Sequence, residues 1–346
     1  GVVSSVFPGG ASLPVAATIA ALLALLAAGC TRDLPLLAED VPCPWIEMEN
    51  PRFEGLKTAL AMDAGGRLYL GHYEWPEGGI EAYVSTSDDG GETWSRVFIG
   101  DVRLRDVAVG TEGRVYATGG EWAVYSSGDR GESWSKYDEG FPAKDDWVYL
   151  AVGTGEGVIA WGERSSIFLS TDSGEHWHSR SDTVPGGLVN EMAWGPDGRV
   201  FAASRQGLFF SDDTCGSWSK SEGPWGDEYV FDVAVERDGA VLVMIDDIFR
   251  SRDGGESWAQ LTDSSRARRE LSVDGAGRIY YSSRDGLMMS ADGGGSWRLV
   301  FDPYVDDQLL NIRSGPASEI YICTGNGGPG FCRSYDEGAS WEFLGL

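Results

Sequence analysis

The chain has 346 residues, with 27 Lys+Arg against 54 Asp+Glu and a net charge of −27. So anionic a surface repels phosphate and offers few cations for counterion release, which argues against nucleic acid as a main partner. Only 3 His leave little room for a polyhistidine metal site, and 42% hydrophobic with 23% charged residues is a globular composition.

Residues 1–29 carry no charged side chain, and Val15 to Ala28 is an unbroken run of apolar and small residues. That run is shorter than the about 20 residues a membrane span needs, and it fits the apolar core of a secretory signal. It ends at Leu26-Ala27-Ala28-Gly29-Cys30, which resembles the lipobox of bacterial lipoproteins, although Ala27 stands where Leu is commoner. The resemblance implies a signal peptide over 1–29, a lipidated Cys30 and a short tether over 30–44. It places the protein in a bacterial cell envelope, lipid-anchored on the periplasmic or cell-surface side. Thr31, where an Asp would resemble an inner-membrane retention signal, favours the outer membrane.

From residue 45 onward the chain is a tandem repeat. SDDGGETW, SGDRGESW, STDSGEHW, SDDTCGSW, SRDGGESW, SADGGGSW and SYDEGASW end at Trp94, Trp134, Trp177, Trp218, Trp258, Trp297 and Trp341. Their central aspartates are Asp89, Asp129, Asp172, Asp213, Asp253, Asp292 and Asp336, spaced by 40, 43, 41, 40, 39 and 44 residues. Cys215 takes the glycine place of the fourth copy, and His176 stands where Thr or Ser is usual in the third.

Six units also hold a turn glycine before a β-type run, as in GGRLYL at Gly66, EGRVYA at Gly113 and AGRIYY at Gly277, and the seventh has Ser318 there, in SEIYIC. Short runs such as RDVAV, NEMAW, FDVAV and ELSVD precede it, runs such as AVYSS and GLFFS follow, and the Trp opens a fourth. Four short strands per unit, at a period of about 40 residues, predict propeller blades. The expected fold is an all-β, seven-bladed propeller of four-stranded antiparallel blades over 45–346. Trp45-Ile46-Glu47-Met48 is in phase with an extra fourth-type strand.

The Ser/Asp pattern resembles the Asp-box, or BNR repeat, of sialidases, xyloglucanases, sortilin-type receptors and the photosystem II assembly factor family. That resemblance places the motif at the turn between third and fourth strands, with structural aspartates and the Trp as an apolar plug. Ser and Asp side chains satisfy backbone N–H groups in such turns.

A propeller puts its second-to-third-strand loops and its interblade loops on the face opposite these turns. The longest such loops are HYEWPEGGIE in the first unit and TGNGGPGF in the seventh, neighbours in a closed ring. The expected partner-binding face carries His72, Glu74, Trp75, Glu121, Trp122, Arg164, Arg205, Asp246, Asp247, Arg284 and Asp285. Interblade loops add Trp147, Trp225, Arg268, Arg269 and Tyr304. Aromatic and Arg side chains anchor interfaces, so this face is expected to hold a protein or glycan. Cys323 and Cys332 flank the seventh loop on adjacent strands, and a cross-strand disulfide is expected there.

Enzymatic readings fare less well. A sialidase carries an arginine triad and an Arg-Ile-Pro motif near its first blade; Pro51-Arg52-Phe53 does not match, and nothing marks Arg164, Arg205 and Arg284 as a triad. No P-loop, dinucleotide fingerprint, nucleophile elbow or Cys/His zinc spacing occurs, so no catalytic residue, metal or cofactor is assigned. The sequence thus predicts a binding or assembly scaffold, monomeric outside its complex, with a sialidase-like hydrolase as the alternative.

Overall fold

A computed structural model of the chain divides into two units, Gly1–Ile46 and Glu47–Leu346. The structure describes residues 56–344, apart from 111, 121, 142–146, 154, 163–165, 181–183, 186, 263–266, 303–308, 316–318 and 325–330. Cys30, Trp45, Glu121, Arg164 and Tyr304 therefore lie outside the described residues.

The second unit is a seven-bladed all-β propeller: seven sheets of four antiparallel strands, each sheet in sequence order. The blades span 56–100, 104–137, 148–179, 189–220, 232–260, 267–301 and 309–343. Blade 1 is built from its own four consecutive strands, as is blade 7, so among the described residues no strand is borrowed across the seam.

Burial explains the pattern of the runs. Second and third strands are buried on both faces between neighbouring blades, as in Val115–Gly119 and Ile167–Ser170, and read as continuous apolar stretches. Fourth strands are exposed edges, only two residues long in blades 3, 4, 5 and 7, which limits unwanted edge pairing.

The apolar core is divided among seven clusters, one at each junction between blades. Trp134 packs into the cluster shared by blades 1 and 2, Trp177 into that of blades 2 and 3, and Trp218 into that of 3 and 4. Trp258, Trp297 and Trp341 follow the same rule at the next three junctions. Trp94 of blade 1 meets Phe331 of blade 7 edge-on at 5.6 Å, and the cluster around it closes the ring. The motif Trp therefore binds its own blade to the preceding one, a longer reach than a plug beneath its own turn. The Nε1 of Trp341 donates 2.6 Å into blade 6, to the Val300 carbonyl.

The Ser/Asp turns share one hydrogen-bond scheme. In blade 5 the Ser251 hydroxyl donates to Asp253 Oδ1 at 2.7 Å and accepts the Gly255 N–H at 2.8 Å. Asp253 Oδ1 accepts the Ser257 N–H at 2.9 Å. The Ser257 and Ser251 hydroxyls hold the Asp253 carboxyl down to about 2. Blade 4 keeps the scheme with Cys215 at φ 65°, its N–H donating 2.8 Å to Ser211. The Cys215 side chain fills the cluster between blades 3 and 4, and burial pushes its thiol up to about 12.

The expected disulfide is not formed. Cys323 pairs with Phe331 and Ile322 with Cys332, so the two cysteines are one register step apart. Side chains alternate across a strand, and the thiols face opposite sides of the sheet. Cys323 belongs to the cluster of blades 7 and 1, and Cys332 to that of blades 6 and 7. Sequence adjacency of the strands was correct, but a one-residue offset decides which face each thiol takes.

Candidate partner-binding face

Antiparallel order places the Gly turns and the Ser/Asp turns at one end of every blade and the second-to-third loops at the other. At that other end the blade-1 hairpin has the longest strands among the described residues, seven residues each, Leu68–Glu74 and Glu81–Ser87. Trp75 at its tip is 55% exposed and leans edge-on against Tyr73 at 5.0 Å. Below it, Glu74 takes a two-pronged ion pair from Arg96 at 2.7 and 3.0 Å, and the guanidinium lies 3.5 Å over the Tyr83 ring. Glu74 is thus committed to bracing the hairpin.

Other predicted residues separate into surface and interior. Arg205, Asp246, Arg284 and Asp285 are exposed in loops of blades 4, 5 and 6, and Asp247 accepts from Gln260 at 2.9 Å. Arg205 and Arg284 stand on blades 4 and 6, with blade 5 between them. Trp147 is half-buried under Arg105, whose guanidinium also donates 2.8 Å to the Tyr149 hydroxyl.

His72, Trp122 and Trp225 are buried. His72 meets Ser85 Oγ at 2.9 Å and stacks on Tyr83. Trp122 packs on Phe141 and Phe168, and Trp225 on Trp258 at 4.7 Å. These side chains are core, not contact surface. Arg268 and Arg269 fall in the first strand of blade 6.

The interior of the ring carries a feature the loops do not. First strands form its inner wall, and Asp106, Glu191, Asp232 and Glu270 stand near their starts in blades 2, 4, 5 and 6. In blades 2, 4 and 6 the pairing of that first strand with the second slips in register close to the acid. Such bulges re-aim side chains. Two of the acids bracket blades: Asp106 accepts the Leu150 N–H at 3.0 Å, and Asp232 the Leu271 N–H at 2.7 Å. Asn311 does the same across the seam, accepting from Leu60 at 3.5 Å.

Glu191 and Glu270 feel the other acids of this wall. Burial raises all four carboxyls above their ordinary range, Asp232 to about 7. Repulsion from Asp232, Asp106 and Glu270 adds to the rise of Glu191. Arg313, on the inner strand of blade 7, opposes the rise at Asp106, Asp232 and Glu270. Such a site favours either bound protons or an incoming cation. Among the described residues, no group of three or more His, Cys, Asp or Glu is arranged to hold a metal ion.

These carboxylates were visible in the sequence as the polar residue inside RDVAV, NEMAW, FDVAV and ELSVD. The signal was an acidic residue recurring in the first run of four units.

No family model matches the chain, and no curated protein matches its sequence. Solved structures share the fold. A structure of YCF48 bound to D1 peptide is 18% identical, covers 83% of this chain and 94% of its own, and has a TM-score of 0.60. YCF48 from Cyanidioschyzon merolae is 14% identical over 83% of this chain and 97% of its own, at a TM-score of 0.61. A catalytically inactive virginiamycin B lyase from Staphylococcus aureus, with quinupristin, is 10% identical over 79% and 92%, at 0.64. At these identities the likeness is one of fold.

Proposed function

We propose that this propeller is a non-catalytic binding or assembly scaffold that holds a protein partner on the face opposite its Ser/Asp turns. The observation that carries the reading is the acidic inner wall of Asp106, Glu191, Asp232 and Glu270, beneath a rim bearing the exposed Trp75. Raised carboxyls lower their energy by meeting a cation, and a basic segment of a partner supplies one. The net charge of −27 steers such a segment inward. A propeller of the same fold has been seen bound to a D1 peptide, so a peptide is a ligand this architecture can hold.

The remaining expectations belong to the same proposal. The Ser/Asp turns are Asp-boxes, Cys30 is lipidated, and the scaffold works at a bacterial cell envelope on the tether over 30–44. The test is a pull-down with the whole chain from envelope extract, with sialidase and glucanase assays on the same preparation. A stoichiometric protein partner, lost on Trp75→Ala and on Glu191→Gln, supports the scaffold. Turnover of a glycoside, abolished by an Arg or carboxylate change on the loop face, overturns it in favour of a hydrolase.

A further inference from the structure

The seven first strands can be compared position by position, because one backbone bond follows each of them. From Asp63 in blade 1 to Gly315 in blade 7, an N–H at the strand's end donates to the carbonyl four residues on, at 2.8 to 3.1 Å. Four residues before that N–H stand the acids Asp106, Glu191, Asp232 and Glu270, while blades 1, 3 and 7 have Ala59, Tyr149 and Asn311. Two residues before it the side chain is small in six blades, as Ala61, Ala108, Ala151, Ala193, Ala234 and Ser272. In blade 7 that place is taken by Arg313. Six small side chains leave room at this level of the bore for the one long one.

Arg313 is not held there by an ion pair. Among the described residues no carboxylate lies within ion-pair distance of it, and its Nη1 donates 2.8 Å to the carbonyl of its own neighbour Ile312. Yet it acts on Asp106 of blade 2, Asp232 of blade 5 and Glu270 of blade 6 alike, which a side chain of blade 7 does from inside the ring. The acids themselves divide into two kinds. Asp106 and Asp232 each give an oxygen to the next blade, at the Leu150 and Leu271 N–H groups. Glu191 and Glu270, one methylene longer, make no such bond among the described residues, so their carboxylates are the ones left to meet a ligand. First strands start at the loop end, so Arg313 stands two residues deeper than the acids, about 7 Å at the rise of a strand. Its bond to Ile312 keeps the guanidinium near that depth. A segment entering from the loop face therefore meets anions first and a cation beneath them.

We infer that the bore selects a partner segment of mixed charge, in which a basic side chain meets Glu191 and Glu270 and a carboxylate two residues away, and deeper, meets Arg313. Side chains two apart in an extended segment share one face at a separation of about 7 Å, the offset between the two levels. A guanidinium takes a carboxylate through paired N–H donors, so Arg313 supplies direction as well as charge. This selectivity rests on the acidic inner wall as the gripping surface and adds what that surface prefers. Its sign is distinctive. The net charge of −27 by itself favours the more cationic of two peptides, whereas Arg313 favours the one that also carries a carboxylate.

The probe is a six-residue peptide, blocked at both ends, with Lys and Glu two positions apart, compared with its twin in which Gln replaces Glu. Each is titrated into isotopically labelled whole chain while the backbone amides of Glu191, Glu270 and Arg313 are followed. Wild type should bind the Lys/Glu peptide about tenfold more tightly than the twin, the worth of one charge-assisted pair. Arg313→Ala, which installs the residue that five sister strands already carry, should keep the fold and remove or reverse that preference. Equal affinity of the two peptides in wild type, or a preference that survives Arg313→Ala, would overturn the selectivity. If Glu191→Gln/Glu270→Gln then abolishes binding of both peptides, the acidic wall stands as the grip without it. Shifts absent from Glu191 and Glu270 with either peptide would overturn the wall and the selectivity together.

Discussion

Arg333 of blade 7 donates to the Gly90 carbonyl of blade 1 across 2.9 Å, joining residues 243 positions apart. The same guanidinium lies 4.8 Å over the Tyr335 ring and takes Glu342 and Glu92, so one buried side chain holds both ends of the ring. Replacing Arg333 by Ala is expected to cost about 2–3 kcal/mol, since charged hydrogen bonds are lost and the part-buried Gly90 carbonyl loses its donor. Urea unfolding measures it, with Arg205→Ala, on an exposed turn, as a control expected to stay within about 0.5 kcal/mol. Equal effects from both variants would show that the seam needs no such latch.

The Ser/Asp turn makes a second prediction. Ser251 is buried, donates to Asp253 and accepts the Asp253 and Gly255 N–H groups. Ser251→Ala should destabilise by about 1–3 kcal/mol, the cost of stranding buried backbone donors. A melting temperature unchanged by that substitution would remove the structural role assigned to the motif.

Stability should vary with pH in two opposite directions. Asp232 is raised by burial to about 7, against about 3.9 in an unfolded chain. A raised folded value gives stability that is full below about pH 4 and lost as pH rises through about 7. Asp253, lowered to about 2 by the Ser257 and Ser251 hydroxyls, gives stability that is present above about pH 4 and lost as pH falls through about 2. The urea midpoint should therefore peak near pH 4–5 and decline toward pH 8. Asp232→Asn, which can still accept the Leu271 N–H, should shallow that decline. A midpoint that climbs steadily from pH 5 to 8 would contradict the burial of these acids.

The thiols offer a chemical check. Cys215, Cys323 and Cys332 are buried, so native protein should resist alkylation at all three, and unfolding without reductant should label each once. A peptide linked through Cys323 and Cys332 would reverse the register described for blade 7.

Much of the fold was legible because the repeat carries it. Seven copies of Ser, Asp and Trp, six with Gly in the place that Cys215 takes in the fourth, in phase with seven turn positions define the blades, and Gly66 at φ 87° shows why a turn glycine recurs. The site was harder to read. Trp75 is exposed as its loop length suggested, whereas Trp122 and Trp225 face inward, because a large aromatic beside a loop fills an interblade gap as readily as it meets solvent. Glu191 and Glu270 do not show in loop lengths because they sit on strands, beside bulges that composition does not announce. The pairing of Cys323 and Cys332 failed on a single step of register.

The most direct measurement is calorimetric titration of the whole chain with an unstructured lysine-rich peptide, at low and physiological salt, in wild type and in Glu191→Gln/Glu270→Gln. A saturable site, weakened at least about tenfold by the double change, is the expected result, a loss of about 1.4 kcal/mol. Identical binding in both proteins would contradict a scaffold that grips its partner through the acidic inner wall.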